Sequence, residues 1–254
     1  MRLPAYAIRS AVVTLTLLFG ALPARAEDIK VFSSVAMRAV VEDIAQRFEK
    51  ETKHHVVTTF GLAAAMKGKV EAGEAFDLVI ITPAQIDDLI KQGKAAAGSR
   101  AVIARTGLGL MVRAGSPKLE VGTVDAFKRT LLATKSLTYV PAGASGVAFV
   151  ATAKQLGIAQ ALEAKTKAGA SGEDVNANIT GGAAEIAVLP VSEILPVKGA
   201  ALGGVFPAEV QTYIVMAGAT SNAASQAARD FLARLTSTAS DAVITAKGME
   251  RVKP

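Results

Sequence analysis

Residues 137–157 read LTYVPAGASGVAFVATAKQLG. Leu137, Thr138, Tyr139 and Val140 form a short run of β-formers, and residues 141–146 form a turn of small residues. Val147, Val150, Ala151 and Leu156 then recur at helical spacing, with Gly157 as the stop signal. Strand, tight turn and helix in that order suit an α/β protein. The order also suits anion binding, because the first amides of a helix lack intrahelical partners and the helix dipole adds positive potential there. Small residues let an anion reach those amides, and the Ser145 hydroxyl is a further donor. The plainer alternative makes the stretch an ordinary connection with Ser145 as an N-cap.

The same alternation extends on both sides. Residues 29–33 predict a strand, and 36–51 a helix with Val40, Val41, Ile44 and Phe48 on one face. Residues 55–60 are β-branched, 63–72 helical with Gly73 as stop, and 76–81 (FDLVII) nearly continuously apolar, as a strand buried on both faces requires. Pro83 opens a helix through 92. A second unit follows, with a strand over 108–112, a helix over 123–134 and the opening stretch. A capping box over 171–174 precedes a helix near 175–180, and strands are expected over 186–189 and 211–217. Helices over 221–235 and 240–247 complete the chain, the last ended by Gly248. Strands alternating with helices predict parallel sheets with crossover helices, and no flexible linker separates the two units.

Arg2 and Arg9, the 12-residue apolar run 11–22, and Ala24-Arg25-Ala26 predict a signal peptide cleaved after residue 26, hence an exported periplasmic protein. Losing Arg2, Arg9 and Arg25 takes the net charge from +6 to +3. Such a balance, without a clustered basic patch, gives no argument for nucleic acid. The lack of cysteine excludes thiol chemistry and disulfides, and the adjacent His54 and His55 leave almost nothing for a histidine-based metal or catalytic site. Ser145 lies outside a G-x-S-x-G elbow, no H-E-x-x-H occurs, and Met66 breaks any P-loop pattern. An enzyme is therefore not expected, and neither is a cofactor.

Several pieces together resemble one family. They are Ile29-Lys30-Val31-Phe32 with Val41-Glu42-Asp43-Ile44-Ala45, residues 56–61, and Val70-Glu71-Ala72-Gly73 before Phe76-Asp77-Leu78. The Pro-Ala-Gly turn, Lys154-Gln155-Leu156-Gly157, Glu173-Asp174-Val175 and Ser192-Glu193 complete the set. Across the mature chain the sequence is similar to periplasmic solute-binding proteins of ABC transporters, in the molybdate- and tungstate-binding branch. The resemblance implies the two-lobed type II periplasmic-binding fold, two doubly wound α/β domains joined by crossing hinge strands. Lobe one would hold 27–108 and 213–254, lobe two 109–212, with hinges near 108–112 and 212–215. It also implies a monomer that delivers its ligand to an inner-membrane permease.

The family's two ligand serines fall at Ala36 and Ala63 here, its tyrosine at Pro190 or a neighbour, and its usual alanine at Ser145. The scaffold thus matches while the hydroxyl shell differs. On this basis the expected ligand contacts are Ser33, Ser34 and the Val35 amide, the loop amides of Leu62 and Ala63, and Ser145, Gly146, Asp174 and Val175 opposite. Helix capping is the alternative for Ser33 and Ser34, and a cap or hinge role is expected of Ser192 and Glu193. The leading function is capture of a molybdate-like oxyanion. The alternatives are a receptor for a small organic carboxylate, suited to Leu62, Ala63 and Pro190, a secreted enzyme, and a regulator's sensing domain.

Overall fold

The structure, a computed structural model, describes residues 26–252. The expected signal segment, apart from residue 26, lies outside them. Among the described residues no helix is long and apolar enough to cross a membrane.

The first half builds a sheet in the order β2 (His55–Gly61), β1 (Asp28–Ser34), β3 (Leu78–Ile81). β1 runs parallel to both neighbours. The crossover helices are α1 (Arg38–Thr52), α2 (Ala63–Glu71) and α3 (Pro83–Lys91). Successive strand residues face opposite sides, so β3 serves two cores. Leu78 and Ile80 pack with Val40, Val41, Ile44 and Phe48 of α1. Val79 and Ile81 pack with Met66 and Val70 of α2 and Ile86 and Leu89 of α3. The continuous apolar run 76–81 needed both layers. Its first two residues stay outside the strand because the Asp77 carboxylate accepts the Lys30 amide at 2.8 Å.

β4 (Ala101–Arg113) is longer than the five residues expected, and it carries the chain between sheets. Residues 101–107 pair antiparallel with β9 (Tyr213–Thr220), which itself pairs with β3. Residues 108–113 pair with β7 (Ile186–Pro190) and β8 (Ala200–Val205). The change of partner falls between Gly107 and Leu108, where Gln211 clamps the strand. The Leu108 amide donates to Gln211 Oε1 at 2.8 Å, and Gln211 Nε2 donates to the Leu108 carbonyl at 3.1 Å.

In the second sheet β7 pairs in parallel with β5 (Leu137–Tyr139), and β5 with β6 (Thr166–Ala168). α4 (Val124–Ala133), α5 (Ala144–Gln155), α6 (Ala159–Glu163), α7 (Gly172–Thr180) and α8 (Val191–Ile194) belong to this half. Phe127 of α4 and Phe149 of α5 meet Phe206, with ring centroids 4.6 and 6.3 Å apart. Val175 and Ile179 of α7 pack on Met111, Ala187 and Leu189 from the other face. α9 (Gln226–Thr236) and α10 (Asp241–Ala246) return to the first half, where Phe231 meets Phe48 at 5.2 Å. Arg251 secures that end through the carbonyls of Ile103 (2.7 Å) and Leu235 (2.9 Å). The result is the expected type II periplasmic-binding fold.

Candidate functional site

In open α/β sheets ligands collect beyond the carboxyl ends of the strands. Here β1 ends at Ser34, β2 at Gly61, β5 at Tyr139 and β7 at Pro190. The segments that follow enclose a cavity of about 30 Å³ between the two sheets. Ser34, Val35 and Ala36 line it from β1, and Leu62 and Ala63 from the start of α2. Gly143, Ala144 and Ser145 line it from α5, Gly172 from α7, and Pro190 and Glu193 from the end of β7 and from α8.

Helix starts decide which amides are available. In α2 the ladder begins with the Met66 amide on the Leu62 carbonyl at 3.0 Å, so Ala63, Ala64 and Ala65 precede it. In α5 it begins with Val147 on Gly143 at 3.0 Å, leaving Ala144 and Ser145 against the cavity. α7 starts at Gly172, three residues earlier than expected, because Ser171 caps it. Both halves of the expected capping box form. The Asp174 amide donates to Ser171 Oγ at 3.1 Å, and Asp174 Oδ2 accepts the Ser171 amide at 3.2 Å. The Val175 amide bonds the Ser171 carbonyl at 3.2 Å. The ordered cap thus spends the Asp174 and Val175 amides within the helix, and Gly172 and Glu173 take their place as first-turn amides.

Five of the nine expected contacts line the cavity: Ser34, Val35, Leu62, Ala63 and Ser145. Ser33 is fully buried and its hydroxyl donates to the Ser34 carbonyl at 3.1 Å. Ser34 does cap, its Oγ accepting the Ala36 amide at 3.4 Å in a short 3-10 turn, Val35–Met37, that precedes α1. Gly146 serves close packing. A β-carbon there would stand 2.0 Å from the Val140 carbonyl oxygen. Val175 is wholly buried in the core of the second half.

Ser145 is not an N-cap. Gly143 holds that position, and Ser145 is the second residue of the helix. It is 5% exposed, and among the described residues its hydroxyl makes no hydrogen bond. Ser192, expected as a cap or hinge, reaches across the halves, its Oγ donating to the Ala36 carbonyl at 2.8 Å.

Glu193, expected as a cap or hinge, lines the cavity instead. Among the described residues it is the only charged side chain lining the cavity. Its Oε2 lies against the first turn of α7, 3.4 Å from where a Gly172 β-carbon would stand. Burial pushes its carboxyl up to about 7, with the Glu173 charge adding and Arg38 opposing. A carboxyl directly after a buried apolar strand and a proline was the available signal.

Chemically, the cavity offers amide and hydroxyl donors from both halves and one readily protonated acid. That set can hold an anion, and among the described residues no cluster of side chains could hold a metal ion.

Comparison with known proteins agrees with the fold. The chain is 26% identical to an aconitate isomerase of a Pseudomonas species, over 99% of this chain and 97% of that protein. It is 28% identical to the molybdate-binding protein ModA of Azotobacter vinelandii, over 84% and 86%. It superposes on the Azotobacter vinelandii periplasmic molybdate-binding protein with a TM-score of 0.75 at 20% identity, covering 89% of this chain and 99% of that one. The family model described as bacterial extracellular solute-binding protein matches residues 29–250, and the chain belongs to that family.

Proposed function

We propose that this protein is the capture component of an anion uptake system, closing its two halves on a small anion outside the inner membrane and delivering it to a permease. The observation that carries the reading is a cavity onto which helix starts from both sheets converge, with Ser145 contributing a hydroxyl that has no hydrogen-bond partner among the described residues. A ligand touching both halves favours the closed form by its extra contacts there. The Ser192–Ala36 hydrogen bond and the Arg38–Glu173 ion pair already span the halves. Export as a periplasmic monomer belongs to the same proposal.

A molybdate-like oxyanion is the first ligand to test, since ModA is among the relatives. A carboxylate is the second reading, suited to the apolar Leu62, Ala63 and Pro190 that line the cavity. Thermal-shift screening followed by calorimetric titration with molybdate, tungstate, sulfate and simple carboxylates tests the proposal. One anion is expected to bind saturably at one site per chain. No binding by any of them would remove the receptor reading.

A further inference from the structure

The small cavity adjoins a larger chamber of about 370 Å³, and Val35, Gly172 and Glu193 line both. The chamber also lies between the halves, with Arg38 and Glu42 of α1 on one side and Glu173, Asn176 and Lys198 on the other. Its volume falls in the range of small-molecule sites, whereas the inner cavity holds only a head group. We propose that the ligand is an organic acid with at least two acidic groups, one carboxylate in the inner cavity and a second reaching past Glu193 to Arg38, Asn176 and Lys198. The inference rests on the anion-capture reading and names the substrate class of that same site.

Three polar groups in the chamber are unpaired or only loosely paired. Arg38 lies over the Phe60 ring, its Cζ 4.4 Å from the ring centroid, a contact that uses none of its N–H groups. Its nearest carboxylates, Glu42 at 3.8 Å and Glu173 at 3.7 Å, stand beyond hydrogen-bond distance. Both acids are exposed, so water screens them. Lys198 makes no ion pair or hydrogen bond among the described residues. Asn176 Oδ1 is buried without a hydrogen-bond partner, the one such side-chain atom among the described residues. Buried polar groups are rarely left so, and an amide turned about its last bond presents either its oxygen or its nitrogen to a ligand.

Arg38, held only by long, solvent-screened ion pairs, the unpaired Lys198 and the Asn176 amide beside an anion cavity match a second carboxylate. A bare tetrahedral oxyanion would leave all three unused. Glu193 sits where the ligand's two ends join. Below about pH 7 its proton is held, and it can then donate a hydrogen bond to the ligand.

The test is calorimetric titration of the purified protein with tricarballylate, succinate, propionate and molybdate at constant ionic strength. Tricarballylate or succinate is expected to bind at least tenfold tighter than propionate. Asn176→Leu and Lys198→Met should each weaken that binding about tenfold, as loss of one charged hydrogen bond does, and leave propionate unchanged. Lys198 is exposed, so its variant folds even if the Asn176 variant does not. Equal affinity for propionate and the polyacids overturns the inference. Unchanged polyacid affinity in Lys198→Met overturns it too. Tight molybdate binding without polyacid binding overturns it while leaving the receptor reading intact, and no binding by any anion overturns both.

Discussion

Replacing Ser145 with alanine separates ligand binding from stability. A capping serine would contribute about 1 kcal/mol to stability, but Gly143 is the N-cap of α5 and the Ser145 hydroxyl bonds nothing among the described residues. Removing it leaves no donor or acceptor unsatisfied. Alanine is also the better helix former, by up to about 0.5 kcal/mol. The variant should therefore melt at the wild-type temperature or slightly above. In the bound state the hydroxyl faces an anion, and a hydrogen bond to a charged group is worth about 1.5–3 kcal/mol. At about 1.4 kcal/mol per factor of ten, affinity should fall roughly 10- to 100-fold. Differential scanning calorimetry and isothermal titration of the one variant measure both quantities. Undiminished affinity would refute the reasoning, since the cavity would then bind its ligand without the hydroxyl. A lowered melting temperature would show a structural role that the helix start does not account for.

Three further outcomes are expected. Gly146→Ala places a β-carbon 2.0 Å from the Val140 carbonyl, a backbone overlap that should cost about 3 kcal/mol, read as a lower denaturation midpoint; an unchanged midpoint would contradict the tight approach of α5 to β5. Glu193 keeps its proton up to about pH 7 in the folded protein, against 4.5 ordinarily. The folded state binds the extra proton between those values, so stability should fall as pH rises across that window. The full shift corresponds to about 3 kcal/mol, lowered to about 1–3 because the side chain is partly exposed. Glu193→Gln should flatten this slope, and parallel pH profiles for the two proteins would argue against a raised carboxyl. Small-angle scattering should give a smaller radius of gyration at saturating ligand than without it, and identical profiles would count against hinge closure.

Much of the fold is legible locally. Apolar residues at period 3.6 marked α1, and the run of FDLVII marked a strand covered on both faces. The Ser171–Asp174 capping box and the stop glycines at 73, 157 and 248 were equally plain, the three glycines all having positive φ. These signals concern a residue and its near neighbours, which is why one sequence carries them. β4 is longer than its sequence signal, because Arg105 and Gly107 interrupt the apolar pattern before Leu108 and its length is set by partners on two sheets.

The candidate site divides along the same line. That small residues and serines gather after β1, β2 and β5 could be read from the chain, and so could the family pattern with its altered hydroxyl positions. Which amides remain free could not, because the start of each helix depends on the cap that actually forms. At α7 that start moved availability from Asp174 and Val175 to Gly172 and Glu173. Likewise Ser33 and Ser34 satisfy each other's neighbourhood while Ser145 satisfies nothing, a difference of side-chain geometry that three similar serines do not announce. Glu193 acquires its raised carboxyl and its place beside Gly172 only when β7 sets α8 against α7 and α1, bringing it to Gly172, Glu173 and Arg38, each 20 residues or more away in sequence. Secondary structure was determined by short-range covalent pattern. The cavity, its one acid and the chamber beside it were decided by tertiary packing, because burial and the distance between unlinked charges exist only once the two halves come together.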